Sequence, residues 1–202
     1  MDLLVRGMLL GLAIAAPVGP IGMLCIQRGL SQGFAAALAG GAGTALADAL
    51  YAALGAAGLA ALLASFEALA PWLRYGGCGF LLWLGVQTLR RPADLQAGAA
   101  PGKADLLRAF AITFTLTMAN PATLLSFIAL FAGLGLSPEA PWQDGALLVG
   151  GVFAGSLGWW IFLAALVAWL RRGLSEAWLR RINWLSGGGL IALALWLLVL
   201  SG

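Results

Sequence analysis

With 202 residues, 62% of them apolar and only 9% charged, the chain has too few polar groups to cover a water-facing surface; a soluble domain carries roughly 25% charged residues. Its formal charge of +3 comes from basic residues in short stretches between apolar runs, which set membrane orientation and exclude a nucleic-acid footprint. Histidine is absent, which removes imidazole bases, His proton relays and His metal sites, and Cys25 and Cys78 are too few for a zinc or disulfide framework.

Apolar runs of 18 or more residues recur along the chain and predict an all-α membrane protein, one domain over 1–202 with no cofactor or metal site. Six spans are expected, near 3–26, 35–62, 71–89, 109–136, 146–170 and 184–201. The start of the first run, with Arg6 and Ala13-Ile14-Ala15, imitates a secretory signal. The run continues to Ile26, however, so a span is the expectation. Near its middle stands Ala16-Pro17-Val18-Gly19-Pro20. Proline lacks an N–H and clashes with the carbonyl four residues earlier, so Pro17 and Pro20 release the carbonyls of Ala13 and Ala16. Broken helix at this depth is tolerated where it is buried in protein or lines a wet cavity. A packing kink is the plainer alternative.

In the second span Asp48 lies near the centre of Thr44-Ala45-Leu46-Ala47-Asp48-Ala49-Leu50-Tyr51. An acid there costs roughly 2.5–3.5 kcal/mol on insertion scales, so it should face protein or water. Thr44 and Tyr51 are one turn away on the same face and are able to hydrogen-bond it. No basic residue lies at comparable depth, so a lone carboxylate remains, a candidate for proton exchange. The stretch 90–108, with Pro92, Gly98, Pro101 and Gly102 among charges, is expected to be the loop between a first repeat, about 1–89, and a second, about 109–202.

The fourth span repeats the interruption with Asn120-Pro121, an N-cap residue followed by a first-turn proline. Half-helices starting at Gly19-Pro20 and Asn120-Pro121 would each present a positive dipole end at mid-membrane, suited to a carboxylate. Thr113, Thr117, Asn120, Thr123 and Ser126 follow steps of three and four and are expected to form one lining face. Hydroxyls that merely bond back to their own helix are the plainer alternative. Trp159-Trp160 and Trp72, within or near span ends, are expected to anchor or pack. Gly187-Gly188-Gly189 and the pairs Gly7/Gly11, Gly29/Gly33 and Gly151/Gly155 suit close helix packing, within one chain or in a homo-oligomer. Arg171, Arg172, Arg180 and Arg181 around Trp178 suit anionic lipid headgroups.

Arg28, Arg90, Arg91, Lys103, Arg108, Arg171, Arg172, Arg180 and Arg181 fall on one side of this arrangement, and only Arg6 and Arg74 on the other. The first side is therefore expected to be cytoplasmic and both termini external. Three spans per half is an odd number, so the halves enter the membrane oppositely, as two inverted three-helix repeats with broken first and fourth helices.

On Ala16 to Met23, Arg28-Gly29-Leu30, Gly33, Gly43 through Asp48 with Tyr51, and Asn120-Pro121, the chain resembles the LysE family of amino-acid exporters. The resemblance covers essentially the whole chain. It implies export of an amino acid across the bacterial inner membrane, coupled to protons. It places Pro17, Gly19 and Pro20 in the first-span break, Asp48 in the second-span acid motif, and Asn120 and Pro121 in the fourth-span break. Ala122 stands where many members carry lysine, which weakens substrate assignment by analogy. The expected substrate-binding set is Pro17, Gly19, Pro20, Asp48, Thr117, Asn120 and Pro121, with Asp48 also carrying protons. Partners are then an amino acid, protons and membrane lipid. A thiol–disulfide electron conduit through Cys25 and Cys78 and a passive channel are the rival readings. An enzyme is disfavoured, since no Ser–His pair, HExxH or paired intramembrane acids exist.

Overall fold

The computed structural model describes residues 3–17, 19–56, 101–120 and 141–171, and the helical positions 75, 79, 82, 83, 85, 86, 89, 90, 123, 124, 126, 127, 181, 184, 185, 188, 189, 191, 192 and 195. Five helices have described bounds: α1 Leu3–Ala15, α2 Pro20–Gln32, α3 Phe34–Ala56, α4 Lys103–Met118 and α5 Trp142–Arg171. No strand occurs among the described residues.

α1 is built inside out relative to a soluble helix. Its buried residues are the small Gly7, Gly11 and Ala15, one turn apart, while Leu4, Val5, Met8, Leu9 and Leu12 are exposed. Lipid offers no penalty to those large side chains, and a small-residue stripe lets two backbones touch. The partner is α5. A Cβ on Gly7 would strike the Leu148 carbonyl and one on Gly11 the Val152 carbonyl. From the other side, a Cβ on Gly151 or Gly155 would strike the carbonyls of Leu4 or Met8.

α1 stops at Ala15, where Pro17 offers no N–H, and Ala16 N–H closes the last turn on the Leu12 carbonyl at 2.9 Å. The chain restarts at Pro20, with Gly19 as an extended N-cap whose carbonyl accepts from Met23 N–H at 3.0 Å. α1 and α2 meet at 81° and together are long and apolar enough for one bent span. α2 continues to Gln32, beyond the expected end at Ile26, and places Arg28 on the helix rather than in a loop. Gly33, at φ +90°, stops it, a backbone conformation that glycine adopts without strain.

α3 and α5 are each long and apolar enough to cross a membrane. At 1.5 Å per residue α5 reaches about 45 Å, more than the roughly 30 Å of hydrocarbon, so it must tilt or project. α4 begins at Lys103, inside the stretch expected to be loop. Gly102 N–H donates to Asp105 Oδ2 at 3.1 Å, and the Gly102 carbonyl accepts from Asp105 and Leu106, which fixes the earlier start. The expected third and sixth spans fall on isolated helical positions, and all of 91–100 and most of 121–140 lie outside the described residues.

α3 and α5 are central. α1 packs most extensively on α5, α4 on α3, and α2 lies across both central helices. Gly43 makes the α3–α4 approach close: a Cβ there would strike the Phe110 carbonyl and reach Thr113 Oγ1 at 2.7 Å. Gly40 faces Cys25, Arg28 and Thr113, whereas nothing lies within 4 Å of a Cβ on Gly150.

Candidate functional site

The two interruptions converge. α4 ends at Met118, Ala119 turns, and the Asn120 carbonyl accepts from Thr123 and Leu124 N–H at 3.1 and 3.2 Å, so helix resumes after Asn120. Pro121 lies outside the described residues. Between this break and the one in the first span is a cavity of about 90 Å³. A single water needs roughly 10–15 Å³ of comparable space, so several waters or one small solute fit.

The cavity's walls carry complementary partial charges. Ile14 and Ala15 bring the C-terminal end of α1, where carbonyls lack intrahelical donors. Pro20, Ile21 and Gly22 bring the first turn of α2, where the N–H groups of Ile21 and Gly22 lack intrahelical acceptors. Pro17 and Gly19 supply the break itself. Thr44 and Asp48 come from α3, Thr117, Asn120 and Thr123 from the fourth-span region, and Trp160 from α5.

Asp48 is 1% exposed and lies three residues from the midpoint of α3. Its partner is neither of the two neighbours on its own helix face. Ser156 Oγ, at the centre of α5 and fully buried, donates to Asp48 Oδ2 at 2.7 Å. Thr44 instead points its hydroxyl back at the Gly40 carbonyl, at a long 3.5 Å, and the Tyr51 hydroxyl donates to the Met118 carbonyl at 2.6 Å. Tyr51 thereby caps the exposed end of α4, while its ring stacks on Phe127 beyond the break at 5.5 Å.

Of the expected five-residue lining face, Thr117, Asn120 and Thr123 wall the cavity and the two end members do not. Thr117 walls the cavity while bonding back to the Thr113 carbonyl at 2.8 Å. Thr113 turns into the helix contact and donates to the Gly40 carbonyl at 2.5 Å. Ser126 is exposed. Trp160 packs, as expected, in the core near the middle of α5, 4% exposed. Neither Ser156 nor Trp160 is marked as functional by the sequence pattern; the one available signal was a hydroxyl and an indole at mid-span. Cys25 is buried in the core with Leu30, Ala45 and Val167, and Cys78 lies outside the described residues.

Comparison with known proteins matches the sequence model described as "LysE type translocator" over residues 12–201. The chain is 34% identical over 197 residues to the chemotactic transduction protein ChpE of Pseudomonas aeruginosa, covering 96% of each chain. It is 29% identical to the putative amino acid efflux protein YcgF of Bacillus subtilis, covering 95% of this chain and 92% of that one. It is 28% identical to the arginine exporter protein ArgO of Photorhabdus laumondii, covering 95% and 90%. No solved structure matches.

Proposed function

The chain belongs to the family of LysE type translocators, a membrane transporter rather than an enzyme, and from that premise we propose that it exports an amino acid or similar small zwitterion from the cytoplasm in exchange for protons. The observation that carries the reading is the cavity between two helix breaks, with Asp48 on one wall and the first turn of α2 on another. A zwitterion has one charge for each. Its carboxylate suits the N–H groups at the start of α2, and its ammonium suits ionised Asp48 and the carbonyl end of α1. The names of relatives that export arginine or other amino acids support this solute class.

Proton entry from outside neutralises Asp48 and removes its attraction for the ammonium, and movement of one half against the other then changes the side of access. The architecture that serves this is six spans in two inverted repeats. Its support is reciprocal packing: α1, the first half of span one, lies on α5 of the other repeat, and α4, the first half of span four, lies on α3. A pseudo-two-fold exchange of the repeats turns one contact into the other. The setting is a bacterial inner membrane with both termini periplasmic, in contact with lipid and open to homo-oligomer formation.

The test is Asp48→Asn in proteoliposomes, with a panel of radiolabelled L-amino acids and an imposed proton gradient. Wild type accumulates its substrate against the solute gradient. Asp48→Asn inserts normally and loses that accumulation. Undiminished gradient-driven transport by the variant removes Asp48 from coupling, and wild-type flux that ignores the proton gradient points to a passive channel.

A further inference from the structure

Toward the start of α4, the cavity ends where three helices close on one another. Thr44, Thr117 and Gly22 are cavity walls, and Gly40, Thr113 and Cys25 lie one turn further along α3, α4 and α2. These second three meet. A Cβ on Gly40 would stand 3.2 Å from Cys25 Sγ and 3.4 Å from both Thr113 Cγ2 and Arg28 Nη1, and Cys25 and Thr113 are buried. Another turn along, Arg28 Nη1 donates to the Ala109 carbonyl at 3.0 Å. Together they floor the cavity on the side of Arg28, Lys103, Arg108 and Arg171, the cytoplasmic side of the proposed topology.

The helices of this floor are not equally fixed. α3 and α4 touch backbone to backbone, since a Cβ on Gly43 would strike the Phe110 carbonyl, and Thr113 Oγ1 donates across to the Gly40 carbonyl. α2 is held through side chains: Leu24 packs on Leu116, Gly29 faces Val167 Cγ1 and Ala37 Cβ, and Arg28 reaches Ala109. Both its ends are turns, at extended Gly19 and at Gly33 with φ +90°. Hinges are a few residues at the ends of elements that absorb a change of φ and ψ. α2 can therefore swing away while α3 and α4 stay joined.

We propose that α2 is the gate between the cavity and the cytoplasmic side, and that Arg28 is a positioning residue whose hydrogen bond to the Ala109 carbonyl latches it. The inference rests on the export reading, which requires entry from that side, and it names the element that admits the solute. The first turn of α2 is also a cavity wall, with the N–H groups of Ile21 and Gly22. A solute carboxylate seated on those groups is bound better with α2 in place than with α2 swung out. Its binding therefore favours the shut position, and loading closes the gate behind the solute.

Two measurements on the purified full chain, with Cys78 replaced by alanine, test the gate. In the first, Gly40→Cys puts a thiol within disulfide reach of Cys25. The protein is oxidised with copper phenanthroline, the link is confirmed by mass, and counterflow of an equimolar mixture of twenty radiolabelled L-amino acids is followed in proteoliposomes. The linked form is expected to be roughly tenfold slower or more than the reduced form, with recovery in dithiothreitol. The same protein with Cys25→Ala ignores the oxidant. In the second, alkylation of buried Cys25 by N-ethylmaleimide is timed in detergent without any solute. Loss of a hydrogen bond from a charged donor predicts roughly ten- to a hundredfold faster alkylation in Arg28→Met, and Arg28→Lys, which can still donate, stays near wild type. Undiminished counterflow in the linked protein, failure of the two thiols to link, or equal alkylation in Arg28→Met and wild type overturns the inference while leaving export intact. No counterflow of any amino acid in wild type removes the export reading, and the gate with it.

Discussion

Asp48 and Ser156 lie 108 residues apart and meet at the centres of the two central helices. A hydrogen bond to a charged group contributes roughly 1.5–3 kcal/mol, more where water is excluded. Ser156 therefore ties α5 to α3 through the Asp48 carboxyl group. Ser156→Ala is expected to slow proton-coupled exchange about tenfold or more, with membrane insertion unchanged, and Ser156→Thr to retain most of the activity. Exchange rates in proteoliposomes check this; equal rates in all three proteins would mean the bond is incidental. Tyr51 acts on the other break. Tyr51→Phe keeps the stacking on Phe127 but leaves the Met118 carbonyl without its donor, at a cost of roughly 1–3 kcal/mol. A melting temperature lower by several degrees is expected, at about 2–4 °C per kcal/mol for a chain of this size.

At the scale of the helices, stability comes from the absence of side chains. α1 and α5 approach through Gly7, Gly11, Gly151 and Gly155, and each would drive a Cβ into the opposing backbone. Backbone cannot swing aside as a side-chain tip can, so overpacking here costs at least the usual 1–3 kcal/mol, roughly, per site. Gly151→Val or Gly11→Val is expected to collapse the yield of monodisperse protein in size-exclusion chromatography, while Gly150→Ala, with nothing within 4 Å of the new Cβ, elutes like wild type. The small-xxx-small spacing of these glycines was legible in the sequence, and so were the breaks, because proline removes a donor wherever it stands. Asp48 was legible for a similar reason: a charge in hydrocarbon needs a purpose. The rest depended on contacts that spacing does not encode. Thr44 and Tyr51 sit on the face of Asp48, yet they serve Gly40 and Met118, because backbone carbonyls compete for the same hydroxyls. Apolar content ends near Ile26 while α2 runs to Gln32, since hydropathy reports where lipid is and Gly33 decides where helix stops. Gly33, expected to be a packing glycine, is a turn.

For the molecule as a whole, packing sorts the charges toward two poles. Arg28 Nη1 donates to the Ala109 carbonyl at 3.0 Å, and Arg171 Nη1 lies 3.1 Å from where a Gly33 Cβ would stand. The end of α2, the start of α4 and the end of α5 therefore share one pole, which also holds Lys103 and Arg108. At the opposite pole the end of α3 meets the start of α5, with Ala56 Cβ 3.4 Å from where a Gly145 Cβ would be, and Gly7 of α1 reaches Leu148. Arg6 and Asp144 belong there. Lysine and arginine are retained on the cytoplasmic face, so in the proposed topology the pole of Arg28, Lys103, Arg108 and Arg171 is the cytoplasmic one. Ala104 and Gln143 are both exposed and lie near opposite poles, separated in sequence by the fourth span alone. In a background with Cys25 and Cys78 replaced by alanine, Gln143→Cys is expected to react with a membrane-impermeant maleimide in spheroplasts, and Ala104→Cys only after the cells are opened. Labelling of both from outside would mean that the chain between them does not cross the membrane. With no crossing there, the second repeat would lose its opposed entry, and the convergence of the two breaks on a single mid-membrane cavity would have no inverted repeat behind it.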